Sequence, residues 1–305
     1  MSITIATCQF PVFADVSSNL DHILQLMSSA RSQGATVAHF CEASLSGYAG
    51  IDFAGFDGFD WTLLKEATLE VMKQAQALGL WVVVGSAHRL SETNKPHNCS
   101  YIIDNTGTLI DRYDKLFCAG DATGTTGDLA HYTSGDHFSV FEMAGVRCGA
   151  LICHDYRYPE LYREYKRHGV QVMFHSYHAG GISDQRYQGM TDYVGTGNSP
   201  LTMGSTLPAL TMPAGMIAAA SNNYMWISCP NSSAQISCVP AYFVRPDGVI
   251  TGSLDLHETG VLLSMVDTDQ EYYDSTVAWR DRSIQGIYHS GDLIDDTRSK
   301  SRTTL

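Results

Sequence analysis

The strongest constraint on this chain is the alternation of two periodicities over residues 1–90. Ser2–Thr7 is a short apolar run of strand character, after which Leu20, Ile23, Leu24, Met27 and Ala30 recur at helical spacing until Gly34. Thr36–Phe40 reads as a second strand. Leu64, Ala67, Val71 and Ala75 mark a second helix ending near Gly79, and Trp81–Gly85 is a third strand. Helices bury one stripe and strands one or both faces, so this β-α-β-α-β rhythm demands sheet covered by helices.

The pattern then changes. Ser100–Asp104 and Thr108–Tyr113 flank Asn105-Thr106-Gly107, and His137–Met143 and Val146–Cys153 flank Ala144-Gly145, which are two hairpin signals. A helix is predicted from Pro159 to His168, with Pro at its first position, basic residues in its last turn and Gly169 as its stop. Val170–Ser176 is another strand. The Gly, Ser, Thr and Pro-rich stretch Ala179–Pro213 reads as an irregular lid or rim. Ala214–Asn223 is helical, Tyr224–Cys229 is a strand, and Ala241–Arg245 and Val249–Gly252 flank the turn Pro246-Asp247-Gly248. Val261–Val266 is the last strand. With no fixed repeat and no linker, the reading is one α/β domain over residues 1–267. Residues 268–305 form a polar tail that packs on the domain or on a neighbouring subunit.

Composition narrows the partners. Hydrophobic residues make up 44% and charged ones 17% of the 305 residues, which is too apolar for disorder. With 32 acidic and 19 basic side chains the net charge is −13, a surface that repels nucleic acid and anionic membranes. No secretory leader and no apolar run of about 18 residues is visible. Cys8, Cys41, Cys148, Cys153 and Cys229 lie in or beside strand-like runs, and no pair has Cys-x-x-Cys spacing. Free thiols, no structural zinc and a reducing cytoplasm are therefore expected.

Three residues stand out chemically. Cys153 ends an apolar strand just before a helix start, where backbone N–H groups and the helix dipole favour a thiolate and can hold an oxyanion. Glu42 places a carboxylate at the end of an apolar strand, a position that suits a general base. Lys115 ends a hairpin strand and, beside a thiol and a carboxylate, would lower the thiol pKa and stabilise an anionic intermediate. Each also has an ordinary reading: a buried thiol, a strand-end cap, a hairpin surface charge.

Taken in order with their surroundings, the three form a pattern. The chain resembles the nitrilase superfamily of carbon–nitrogen hydrolases, whose catalytic set is Glu, Lys and Cys in this sequence order. The resemblance is carried by Ala6-Thr7-Cys8-Gln9-Phe10-Pro11 with Asn19, Phe40-Cys41-Glu42 through Gly47-Tyr48, and Tyr113-Asp114-Lys115. Most specific is Cys153-His154-Asp155-Tyr156-Arg157-Tyr158-Pro159-Glu160, supported by Ala220-Ser221-Asn222, Pro230-Asn231 and Pro246-Asp247-Gly248. The resemblance implies an α-β-β-α four-layer sandwich that dimerises into an eight-layer assembly. It also implies cofactor-free, metal-free hydrolysis through a thioester on Cys153. Glu42 would carry the proton, while Lys115 and the backbone N–H of His154 polarise the carbonyl. Asp128 stands where relatives often have a second glutamate, Cys41 replaces the usual Pro, and Leu116-Phe117-Cys118 follows Lys115 where relatives have x-His-Leu.

Cys153-His154-Asp155 is closer to the amidase and omega-amidase branches than to the Cys-Trp-Glu of true nitrilases. A small linear amide or N-carbamoyl compound is therefore the expected substrate, with a nitrile, or a non-catalytic binding or regulatory role, as the alternatives. His178 and His175 are candidates for the pocket wall, and Arg157 is the candidate for holding an acidic substrate group. The helix Pro159–His168 carries Leu161, Tyr162 and Tyr165 behind Tyr156 and Tyr158, more bulk than one stripe buries, so it is expected at a dimer contact.

Overall fold

The computed structural model describes residues 1–198 and 204–303. The first sheet has the strand order β12-β1-β2-β3-β4-β5, where β1 is Ser2–Gln9, β2 Val37–His39, β3 Trp81–His88, β4 His97–Ile103, β5 Leu109–Asp114 and β12 Gly260–Asp267. The second runs β11-β10-β9-β8-β7-β6, with β6 Val140–Met143, β7 Val146–Ile152, β8 Val172–Ser176, β9 Trp226–Cys229, β10 Tyr242–Val244 and β11 Ile250–Ser253. Strands β1, β2 and β3 are parallel, as are β7, β8 and β9, and antiparallel strands flank both sets.

Two-residue alternation decides which core each side chain joins. Ile3, Ile5, Val37 and Val83 face the second sheet, whereas Ala6, Cys8, Ala38, Val82 and Val84 face helices α1 (Val16–Ser32) and α2 (Trp61–Leu78). On the far side, α4 (Pro159–Arg167) and α6 (Leu207–Asn223) cover the second sheet. The layers are thus helix, sheet, sheet, helix, as expected. A buried polar strut crosses between the sheets: His39 bonds Ser228 (2.8 Å) and Ser176 (2.9 Å), and Thr7 bonds Ser228 (2.8 Å).

One expectation needs correction. The stretch Ala179–Pro213 is not irregular throughout: α5 spans Asp184–Val194, and α6 begins at Leu207; residues 199–203 of this stretch lie outside the described residues. Its Ser and Thr content partly reflects caps, since Ser183 accepts the N–H of Arg186 and Thr206 that of Ala209. Pro213 sits inside α6 at the expense of one helical bond, in a helix whose Met212, Met216 and Ala220 are buried. The tyrosines ahead of and within α4 have partners within the chain. Tyr162 bonds His175 (2.7 Å), Tyr165 donates to Ala150 O (2.6 Å), Tyr156 bonds Thr211 (2.6 Å), and Tyr158 stacks on Phe117 at 3.7 Å. Leu161, Tyr162 and Tyr165 are thus buried within one subunit, whereas Tyr156 and Tyr158 remain partly exposed.

Candidate active site

The carboxyl ends of β2, β5, β7 and β8 meet at one end of the sandwich, where open α/β sheets place ligands. Glu42 follows β2, Lys115 follows β5, Cys153 follows β7 and His178 follows β8. The two sheets are stitched together here by Glu42 N donating to Tyr177 O (3.0 Å). Close approach is possible because Gly85 of β3 lies against residues 41–43: a Cβ on it would sit 2.5 Å from Ala43 N and 2.9 Å from Glu42 C. Ala43 and Cys153 have φ of 54° and 41°, two of the four left-handed non-glycine residues among those described. Such backbone costs about 1–2 kcal/mol per residue, and it aims both side chains out of their strand ends.

Lys115 is fully buried between two carboxylates. Its Nζ lies 2.6 Å from Glu42 Oε1 and 2.6 Å from Asp128 Oδ2. Burial opposes the ammonium, yet Asp128 and Glu42 outweigh it and hold Lys115 well above its ordinary pKa. Burial likewise raises Asp128, but Lys115, the Tyr48 hydroxyl and the Ala119 N–H (2.9 Å) hold its carboxyl below the usual range. Glu42 Oε1 also accepts from Asn98 Nδ2 (2.7 Å), whereas Oε2 is buried with no hydrogen-bond partner among the described residues. One carboxylate oxygen is thus fixed and the other is free to take a proton.

Cys153 opens a 3₁₀ turn, Cys153–Arg157, closed by Asp155, which accepts from Ile152 N (2.9 Å), Phe117 N (2.8 Å) and Tyr113 OH (2.7 Å). The turn precedes α4, and the thiolate favoured by sequence position is not the resting form. Burial, then the Glu42 charge, push the thiol well above its ordinary pKa, and Lys115 and the His178 N–H only partly offset them. A cavity of about 460 Å³ reaches this thiol, lined also by Tyr48, Asp128, His178, Ile182 and Met212. A larger groove of about 660 Å³ lies against α2 and β3–β5, and none of these residues lines it.

The remaining candidates separate. His178 is buried with Nε2 3.1 Å from Asp52 Oδ2; burial disfavours its charge, but Asp52 prevails and raises its pKa. His175 does not line the cavity. It is buried between Tyr162 and the Cys153 carbonyl (3.1 Å), and burial holds it neutral, at about 3. The His154 ring meets Tyr158 edge-on at 5.8 Å, leaving its backbone N–H as the group next to Cys153. Arg157 lies over the Tyr156 ring (4.6 Å) and is absent from the cavity wall. Sequence reasoning missed Asn98 and Asp52; the signal for Asn98 was an amide inside the strand His97–Ile103, and Asp52 gave none.

Residues 4–276 match the family described as carbon–nitrogen hydrolase. The chain belongs to the carbon–nitrogen hydrolase family. It is 28% identical over 177 residues to the 2-oxoglutaramate amidase of Bacillus subtilis (strain 168), covering 57% of this chain and 64% of that protein. It is 26% identical over 175 residues to the omega-amidase NIT2 of Homo sapiens, covering 56% and 62%. The alignments therefore span less than two thirds of these relatives. An amidase from Nesterenkonia sp. shares the fold, with a TM-score of 0.68 at 20% identity over 88% of this chain and 91% of that chain. A variant of the Nesterenkonia sp. AN1 amidase, showing covalent addition of the acetamide moiety of fluoroacetamide at the active-site cysteine, superposes at TM-score 0.68 and 18% identity, covering 100% and 97%. As in those carbon–nitrogen hydrolases, two mixed sheets lie between helical layers. Among the described residues, no helix is long and apolar enough to cross a membrane.

Proposed function

We propose that this carbon–nitrogen hydrolase is an amidase that cleaves small linear amides through a thioester on Cys153. The observation that carries the reading is the buried Glu42–Lys115–Asp128 cluster beside a thiol at the foot of a cavity. Because burial keeps Cys153 protonated, attack and deprotonation are coupled: Sγ adds to the amide carbon as Glu42 Oε2 takes its proton. The carbonyl oxygen becomes an oxyanion, held by the Lys115 ammonium and the backbone N–H of His154. Glu42 returns the proton to the amide nitrogen, the C–N bond breaks, and ammonia leaves a thioester. Water, deprotonated by Glu42, adds to the thioester; collapse releases the carboxylic acid and restores the thiol.

Asp128 is a positioning residue in this scheme. One methylene shorter than glutamate, it still reaches Lys115 because the short helix α3 (Asp128–His131) brings its backbone close. The relatives' names and the covalent adduct on a fold neighbour support amide chemistry over a nitrile or a purely binding role. Residues 1–267 form the hydrolase domain in this reading, and 268–305 a tail whose described part packs on it. Tyr272 against Trp226 (5.3 Å) and the Tyr272 N–H on Tyr224 OH (2.9 Å) support the tail's place. Eight free cysteines support a cytoplasmic location.

The test is ammonia release from short aliphatic amides, with intact-mass detection of the acyl-enzyme. Wild type is expected to turn over and to show the adduct on Cys153, while Cys153→Ala keeps its thermal transition and shows neither. Turnover persisting in Cys153→Ala would refute the thioester.

A further inference from the structure

The chain leaving β8 gives its first three N–H groups to three different places. Tyr177 donates to Pro230 O (3.0 Å) and Ala179 to Asn231 Oδ1 (2.7 Å). The His178 N–H between them acts on the Cys153 sulfur, where it favours the anion. The register supports this placement: Ile152 and Ser176 pair at the ends of parallel β7 and β8, so Cys153 and His178 leave the sheet side by side, and both line the cavity. The imidazole itself is fully buried. Its Nε2 lies 3.1 Å from Asp52 Oδ2, its Nδ1 has no hydrogen-bond partner among the described residues, and the Tyr48 ring meets it edge-on at 5.1 Å. Asp52 Oδ2 also accepts the Tyr48 N–H (2.8 Å), the Tyr48 hydroxyl donates to Asp128, and Asp128 holds Lys115 at 2.6 Å. Asp52 therefore ties the segment carrying the thiol's donor to the tyrosine that holds Asp128 on the ammonium. An apolar side chain would fill this place with no desolvation cost, whereas a buried imidazole–carboxylate pair carries one.

We propose that His178 is a positioning residue: through Asp52 its imidazole anchors the chain after β8, so that its own backbone N–H is aimed at Cys153 Sγ and steadies the thiolate as it attacks. The proposal deepens the amidase reading above and rests on it. A donor to sulfur is worth most when the sulfur is charged, so it helps the attacking thiolate and, equally, the thiolate that departs when the thioester collapses. The charged and titratable groups about the imidazole are Asp52, Glu42 and Tyr48, all from the segment after β2. Asp52 and Glu42 outweigh burial and favour the imidazolium, which strengthens the tie.

The experiment replaces His178 by Leu, which fills the space and cuts the tie, and by Gln, which keeps a donor toward Asp52. Asp52→Ala cuts the same tie from its other end and removes a negative charge. The pH midpoint of Cys153 alkylation by iodoacetamide is read by mass spectrometry, alongside kcat and KM for n-butyramide. In His178→Leu the midpoint is expected to rise by about one unit and kcat to fall by about tenfold, with KM within about twofold of wild type. In His178→Gln the midpoint moves less than half as far. In Asp52→Ala it also rises, although loss of the anion alone would lower it; where His178→Leu does not fold, this variant decides. An unmoved midpoint in His178→Leu, a Gln variant moved as far as the Leu variant, or an unmoved or lowered midpoint in Asp52→Ala overturns the proposal, whatever the melting temperatures do. If wild type releases no ammonia from any short amide the amidase reading fails, and the alkylation midpoints still decide what His178 does.

Discussion

Replacing Glu42 by Gln separates two effects that one carboxylate has on Cys153. Gln keeps the shape and an acceptor for Lys115 (2.6 Å) and Asn98 (2.7 Å), and Lys115 retains Asp128 as counter-ion. What disappears is a negative charge beside the thiol and the Oε2 proposed to accept its proton. A unit charge at about 4–6 Å, through an effective dielectric of about 20, is worth about 3–4 kcal/mol, or roughly two to three pKa units. The sign is downward, because Glu42 is the foremost charge raising the thiol and Lys115 then acts unopposed by it. Cys153 should become the better thiolate and the worse catalyst. The midpoint of the pH profile for Cys153 alkylation by iodoacetamide, followed by mass spectrometry, is expected to drop by about two units. Amide turnover falls by about 10²–10⁴-fold, the usual worth of general acid–base catalysis. An unmoved or raised alkylation midpoint would refute the electrostatic argument, and turnover within about threefold of wild type would make Glu42 structural.

Other perturbations follow the same logic. Asp128 has a folded pKa below its unfolded value of about 3.9, so it stabilises the fold above that pH and the contribution is lost as pH falls through the folded value. Asp128→Asn should therefore be less stable than wild type in denaturant at pH 7, with the gap narrowing below about pH 4; a gap independent of pH would contradict this. Gly85→Ala drives a methyl into the backbone of residues 41–43 and should cost about 1–3 kcal/mol of stability together with most of the activity, and an unchanged melting temperature would show that this close approach is not needed. We also propose a dimer or a multiple of it, to be checked by light scattering at micromolar concentration; a fully active monomer would end that proposal.

The layered architecture was legible because it depends on local periodicity. Alternation in Ser2–Gln9 and Trp81–His88, and the helical stripes of α1 and α2, specify which faces are apolar whatever they pack against. The order Glu42, Lys115, Cys153 was legible because each follows a strand end, where side chains leave the sheet. The caps of α5 and α6 were hidden among residues whose composition reads as loop, and Pro213 marked as a helix limit a position that a buried helix tolerates.

What the sequence by itself determined is the layers and the set of candidate groups they carry, since apolar period and residue chemistry are local properties. What only tertiary structure decided is their state. The resting thiol of Cys153, the free oxygen of Glu42 and the Asp52–His178 pair depend on charges and burial from segments far apart in the chain. The same holds for arginine: Arg157 and Arg186 are equivalent as letters, and only packing lays one over a tyrosine and places the other in the cavity wall, because a charge has meaning only through what surrounds it.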